Sequence, residues 1–138
     1  MEIVTIQDVR LLHWAEQQLG ETWDASKVRW LSGVGGGICF VVIYSRFTKR
    51  DCWMSIATDG KKRWATRASL RAMFALPFEQ WGLKRLTFMV RADNELSLKM
   101  MRQAGAVEEG RARKCFDGGV DGIAFGMLPD ECRYWSKS

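Results

Sequence analysis

Hydrophobic and polar residues change their spacing several times along the chain, and the changes mark the elements. The clearest run lies within residues 53–94. Leu70, Met73, Phe74, Pro77, Phe78 and Trp81 recur at i, i+3, i+4, i+7, i+8 and i+11, which is the apolar stripe of an amphipathic helix. Arg67, Arg71 and Glu79 lie off that stripe. Pro77 removes one helical hydrogen bond and predicts a kink in the last turn, and Gly82 ends the helix. Ahead of it, residues 52–58 read as a strand that runs into a short basic loop. Behind it, Leu86, Phe88 and Val90 alternate with Arg85, Thr87, Met89 and Arg91, a strand with one buried face. Asp93 or Asn94 then caps a helix that ends at Gly105.

The flanking segments extend the pattern. Residues 1–6 read as a short edge strand, and Asp8 caps a helix to Leu19, with Val9, Leu12 and either Leu11 or Ala15 inward and Gly20 ending it. Residues 28–31 read as a strand, and residues 38–44 form a continuous β-branched apolar run, a buried strand. Between them lie Gly33, Gly35, Gly36 and Gly37. No Lys-Ser or Lys-Thr pair follows these glycines and a strand succeeds them, so a hairpin turn is the better reading than a phosphate loop. Residues 107–116 form a strand, Asp117, Gly118 and Gly119 a turn, residues 123–128 the last strand, and Pro129 opens a polar tail. This order predicts an α/β (α+β) fold with a mixed sheet in one domain over residues 1–138, and a right-handed crossover at its centre.

Composition narrows the partners. The net charge of +5 favours anions, whether a phosphorylated cofactor, nucleic acid or an acidic surface. Lys49-Arg50, Lys61-Lys62-Arg63 and Arg111-Arg113-Lys114 are separate patches without a nucleic-acid motif, which argues against nucleic acid. Cys39, Cys52, Cys115 and Cys132 have no metal-type spacing and His13 is the sole histidine, so no metal site and four reduced thiols are expected. Seven Trp in 138 residues imply aromatic packing or a hydrophobic interface, a homodimer being one form of it. No apolar run reaches the ~20 residues of a membrane span, and an acidic residue stands where a signal peptide carries bases. A cytoplasmic protein is the expectation.

The basic loop carries the candidate chemistry. Lys61, Lys62 and Arg63 stand at the expected helix start, where the helix dipole disfavours cations. A bound polyphosphate would reverse that penalty, because free N–H groups and the positive dipole end both face an anion there.

Over about 100 residues, 36–135, the order of short motifs resembles the GNAT superfamily of acetyl-CoA-dependent N-acetyltransferases. The motifs are Trp64-Ala65-Thr66, residues 78–85, residues 90–94 with Ser97, residues 105–110, and residues 117–121 with Gly126-Met127-Leu128. The resemblance is nearest to the branch that modifies protein N-termini and ribosomal proteins, and to short GNAT-like proteins often carried by phages and prophages. It implies a mixed, mainly antiparallel sheet flanked by helices, with a central β-α-β crossover, and a cytoplasmic bacterial protein with a phage or prophage origin allowed. It further implies acetyl-CoA as cosubstrate and a primary amine as acceptor: a protein N-terminus, a lysine or a small amine.

By the resemblance, Ile56, Ala57 and Thr58 hold the pantetheine arm and the acetyl carbonyl. Gly60, Lys61, Lys62, Arg63, Trp64, Ala65 and Thr66 wrap the pyrophosphate, while Asn94 and Ser97 touch the pantetheine region. The family carries two glycines in the loop where this chain has Lys61 and Arg63, so either the side chains hold phosphate by charge or the cofactor site has decayed. The family's proton-donating Tyr falls near Met101, which cannot donate. Ser55, Asp51 and Tyr44 are the catalytic candidates left. The alternative to an enzyme is a non-catalytic protein on the same fold, such as a phage structural or binding component.

Overall fold

The computed structural model describes residues 1–136. In chain order its elements are β1 (Glu2–Val4), α1 (Val9–Leu19), β2 (Arg29–Val34), β3 (Ile38–Ser45), β4 (Asp51–Thr58), α2 (Arg67–Ala75), β5 (Arg85–Arg91), α3 (Glu95–Ala104), β6 (Val107–Phe116) and β7 (Val120–Met127). The seven strands form one sheet in the order β1-β2-β3-β4-β5-β7-β6. Every pairing is antiparallel except β4 with β5, which α2 connects. The predicted mixed sheet with a central crossover is the observed one.

Alternation along the strands builds two cores. Phe40, Val42 and Tyr44 of β3, Cys52 and Met54 of β4, and Leu86 and Phe88 of β5 share a face with Leu70, Met73 and Phe74 of α2 and with Leu98 and Met101 of α3. On the opposite face Val41, Ile43, Trp30 and Ala57 pack beneath Leu12 and Ala15 of α1. Helix α1 packs on β3 and β4. Val9, expected inward, is exposed, so α1 turns Leu12 and Ala15 to the sheet.

The central helix departs from the sequence expectation at both ends. It begins at Arg67 because Thr66 caps it, its hydroxyl accepting from the Ser69 amide at 3.1 Å. Lys62, Arg63 and Trp64 occupy a separate 3-10 turn, fixed where Trp64 buries its ring against Phe40. The cations therefore stand upstream of the helix start. At the other end Leu76–Gln80 forms a turn of π-helix, with the Trp81 amide donating to Leu76 and the Leu83 amide to Pro77. Pro77 has no N–H to continue the α pattern, so the predicted kink takes the form of this wider turn.

The segment after Pro129, expected to be a polar tail, is packed. Trp135 and Cys132 are buried, Trp135 lies 5.4 Å from Phe78, and Tyr134 stacks on Phe74 at 6.2 Å. Gly105 makes this approach possible: a Cβ there would collide with the carbonyl of Glu131, and its φ of 103° suits glycine. Among the described residues the four cysteines are free, with Cys115 exposed and the other three buried, and no metal-type cluster occurs. No helix is long and apolar enough to cross a membrane.

Candidate functional site

The parallel pairing of β4 and β5 is short. Asp51, Cys52 and Trp53 face Arg85, Leu86 and Thr87, and there the ladder stops. Beyond it β4 continues to pair with β3 through Thr58, while β5 continues to pair with β7 through Arg91. The two strands part, and a wedge-shaped gap opens in the middle of the sheet. In an antiparallel pair, alternate residues direct their N–H and C=O groups away from the partner. In residues 54–58 of β4 those outward groups face the gap and have no strand partner.

The gap leads to the start of α2. Past Thr58 the Asp59 amide bonds to the Cys39 carbonyl, and the loop passes through Gly60 at a φ of 84°. The Asp59 carboxylate accepts from the Lys61 amide at 2.9 Å and pairs with Arg63 at 3.2 Å. Those contacts hold its carboxyl below the usual carboxylate range, the Lys61 amide contributing most. Arg63 also donates to the Gly35 carbonyl at 2.7 Å. Its guanidinium is thus turned toward the glycine hairpin, while Lys61 and Lys62 are exposed with no ion-pair partner among the described residues. Arg67 and Ala68, the first residues of α2, are exposed, and their amides donate no hydrogen bond among the described residues.

The expected cofactor residues fall into three groups. Ile56 and Thr58 are half-buried along the gap, and Gly60, Lys61, Lys62, Ala65 and Thr66 are exposed in the loop beyond it. Ala57 and Trp64 turn their side chains into the two cores, leaving only their backbone to the gap and loop. Asn94 caps α3 by accepting from the Ser97 amide at 3.2 Å, so Asn94 and Ser97 stand together at the start of the other helix on this face. The loop's fit to a pyrophosphate rests on unbonded amides and two free lysines.

The catalytic candidates do not converge. Tyr44 is fully buried and donates to the Met73 carbonyl at 2.6 Å, so it reaches no substrate and its role is structural, a correction to the sequence reading. Burial pushes its phenol well above the ordinary range. Ser55 is half-buried on β4, and Asp51 lies four residues away, roughly 13 Å along a strand. Asp51 and Ser55 alternate with Cys52 and Met54, so both turn to the face opposite α2. Met101, where the sequence resemblance puts a proton-donating Tyr, is buried in the main core.

Asp51 has a setting the sequence did not disclose. The Thr87 hydroxyl lies 2.9 and 3.1 Å from its two carboxylate oxygens, and Arg85 lies 4.0 Å away. Arg85 binds Glu109 with both terminal nitrogens. Burial pushes the Asp51 carboxyl up, against the pull of Thr87 and Arg85. Glu109 lies over Gly126, where any Cβ would overlap its carboxylate. Thr87 and Asp59 have no site role in the sequence reading, and Glu109 and Gly126 enter it only as parts of motifs. Asp59 beside three cations was the one legible signal.

No protein-family model and no curated protein sequence matches the chain. Solved structures do. A spermidine N-acetyltransferase chimera from Vibrio cholerae and the human enzyme superposes with a TM-score of 0.75 at 15% identity, over 93% of this chain and 96% of that one. The ribosomal-protein-S18-alanine N-acetyltransferase of Escherichia coli gives 0.73 at 19% identity, over 92% of each chain. This chain has the GNAT acetyltransferase fold. Ard1 from Thermoplasma volcanium, at 0.72 and 12% identity over 92% of this chain and 96% of that one, is similar in the same way.

Proposed function

We propose that this protein is an N-acetyltransferase that moves the acetyl group of acetyl-CoA to a primary amine by direct attack. The observation that carries the proposal is the parting of β4 from β5 after Trp53 and Thr87, with the freed strand leading into the start of α2. Acetyl-CoA supplies a thioester carbonyl already activated toward an amine. The unpaired groups of residues 54–58 would hold the pantetheine arm and polarise that carbonyl. Lys61, Lys62 and the Arg67 and Ala68 amides would hold the pyrophosphate. Asn94 and Ser97 would line the opposite wall.

The acceptor enters from the other face. Thr87 alternates with Leu86 and Phe88, which pack toward α2, so the Asp51–Thr87 pair faces away from it. Helix α1 lies over β3 and β4, which leaves the β5 and β7 side of that face without a helix. Two substrates can then meet in the gap from opposite sides, which supplies the proximity that direct transfer needs. Asp51 is the carboxylate on the acceptor side, and we assign it the role of taking up the amine's proton through water. The acceptor is proposed as a protein N-terminus, a lysine or a small amine, as in the neighbours named for spermidine and for ribosomal-protein alanine. A thiol-release assay with acetyl-CoA and a panel of these three acceptor types tests the reading. Release that depends on one acceptor class supports it, and no release above hydrolysis with any of them overturns it.

A second reading, a non-catalytic protein on this fold, draws on Met101 and on the capture of Arg63 by Asp59 and Gly35. Acetyl-CoA binding without release in that panel would favour it.

A further inference from the structure

At the Asp51 end of the sheet, away from the loop after Thr58, the fold gathers basic residues that are scattered in sequence. A cavity of about 480 Å³ is lined by residues that include Lys27, Arg29, Phe47, Lys49 and Trp81. Arg50 and Lys84 adjoin it, the Lys84 amide donating to the Arg50 carbonyl at 2.9 Å. Lys27, Arg29, Lys49, Arg50 and Lys84 are all exposed, and none makes an ion pair among the described residues. Two carboxylates adjoin it, and Asp24 also acts electrostatically on Lys27. Asp24 accepts from the amide and hydroxyl of Ser26, and Asp51 is held by Thr87.

The floor is aromatic. Phe47 lies edge-on to Trp81 with ring centroids 5.4 Å apart, and Trp81 rests in turn against Tyr44 at 5.0 Å. Phe47 is 40% exposed, a large ring left open on the turn between β3 and β4. An exposed ring inside a ring of unpaired cations matches the two needs of a single strand of nucleic acid: a stacking surface for bases and charge for phosphates. An acidic peptide would use the cations and have no use for the exposed ring. Strand β4, eight residues long, separates this cavity from the loop after Thr58 by roughly 25 Å. The patch is therefore distinct from the proposed acetyl-CoA site, and its standing does not depend on that reading.

We propose that this cavity binds single-stranded nucleic acid, with Phe47 stacking on a base, Trp81 supporting it edge-on, and Lys27, Arg29, Lys49, Arg50 and Lys84 tracking the backbone. The sequence alone argued against nucleic acid because its basic runs were separate; the fold joins one of them to Lys27, Arg29 and Lys84.

Fluorescence anisotropy with a labelled oligouridylate of about ten nucleotides, over a range of salt, tests the proposal. Binding should weaken with salt at a log–log slope of about −3, for four or five phosphates. Lys49→Ala with Arg50→Ala should reduce the slope by about 1.4, and Phe47→Ala should weaken binding about fivefold or more with the slope unchanged. Lys61→Ala with Lys62→Ala, at the far end of β4, should leave binding as it was. All these side chains are exposed, so thermal unfolding serves to verify that each variant folds. Absence of binding at about 50 mM salt overturns the proposal. So does an unchanged affinity in Phe47→Ala, equal loss in the Lys61 and Lys62 variant, or displacement by oligoglutamate as effective as by unlabelled oligouridylate.

Discussion

The hydroxyl of Tyr44 donates to the carbonyl of Met73 at 2.6 Å, and Met73 is the residue four before Pro77. In an unbroken α-helix that carbonyl would accept from the amide of residue 77, and proline has none. A side chain on β3 thus completes the hydrogen bonding of α2. Tyr44→Phe would leave a buried carbonyl unpaired and should destabilise the protein by about 1–3 kcal/mol. Urea denaturation checks this. Acyl-transfer rate per folded molecule should be unchanged, since the phenol reaches no substrate.

Asp51 should give the protein a characteristic pH response. Its folded pKa is raised, so the folded state holds its proton more tightly than the unfolded chain does. Its contribution to stability is present below the unfolded pKa and is lost as pH rises through the folded one. Denaturation at a series of pH values should therefore show wild type losing stability, relative to Asp51→Asn, as pH climbs above the ordinary Asp range of about 3.9. Thr87→Val removes a bond that opposes the rise, and should move the loss to higher pH. If Asp51 takes up the amine's proton, Asp51→Asn should also slow transfer by about 100-fold at neutral pH.

The loop after Thr58 yields a prediction with two signs. Lys61 and Lys62 are free, whereas Arg63 is held by Asp59 and Gly35. Lys61→Ala with Lys62→Ala should weaken acetyl-CoA binding about tenfold, on the scale of one charge-assisted hydrogen bond. Asp59→Asn removes a negative charge from beside the anion and releases Arg63, so it should tighten binding about threefold. Calorimetric titration of the three proteins gives both comparisons.

What could be read from the residues was local. Asn94, Gly105 and the β-branched run of β3 announce themselves through capping, chain reversal and spacing, and each stands where it was expected, while the apolar stripe of residues 70–81 marks the central helix but not its ends. The site needed contacts between distant residues. Thr66 caps α2 with its own hydroxyl, and the basic residues fall in a separate turn whose Trp64 packs on Phe40. Asp51 gains its partner from Thr87, on a strand reached only after α2 has crossed the sheet. Tyr44, a catalytic candidate by sequence, is instead bonded to the Met73 carbonyl that Pro77 leaves without a donor. The tail after Pro129 looked polar because Cys132, Tyr134 and Trp135 show no period, yet they fill the space beside Phe74 and Phe78.

Hydrogen exchange with and without acetyl-CoA tests most directly whether the gap between β4 and β5 is a cofactor cradle. The account predicts slowed exchange in residues 54–58, which have unpaired groups facing the gap, and in Arg67 and Ala68 at the start of α2. Unchanged exchange in both segments at millimolar acetyl-CoA, or slowing confined to residues elsewhere, would contradict it.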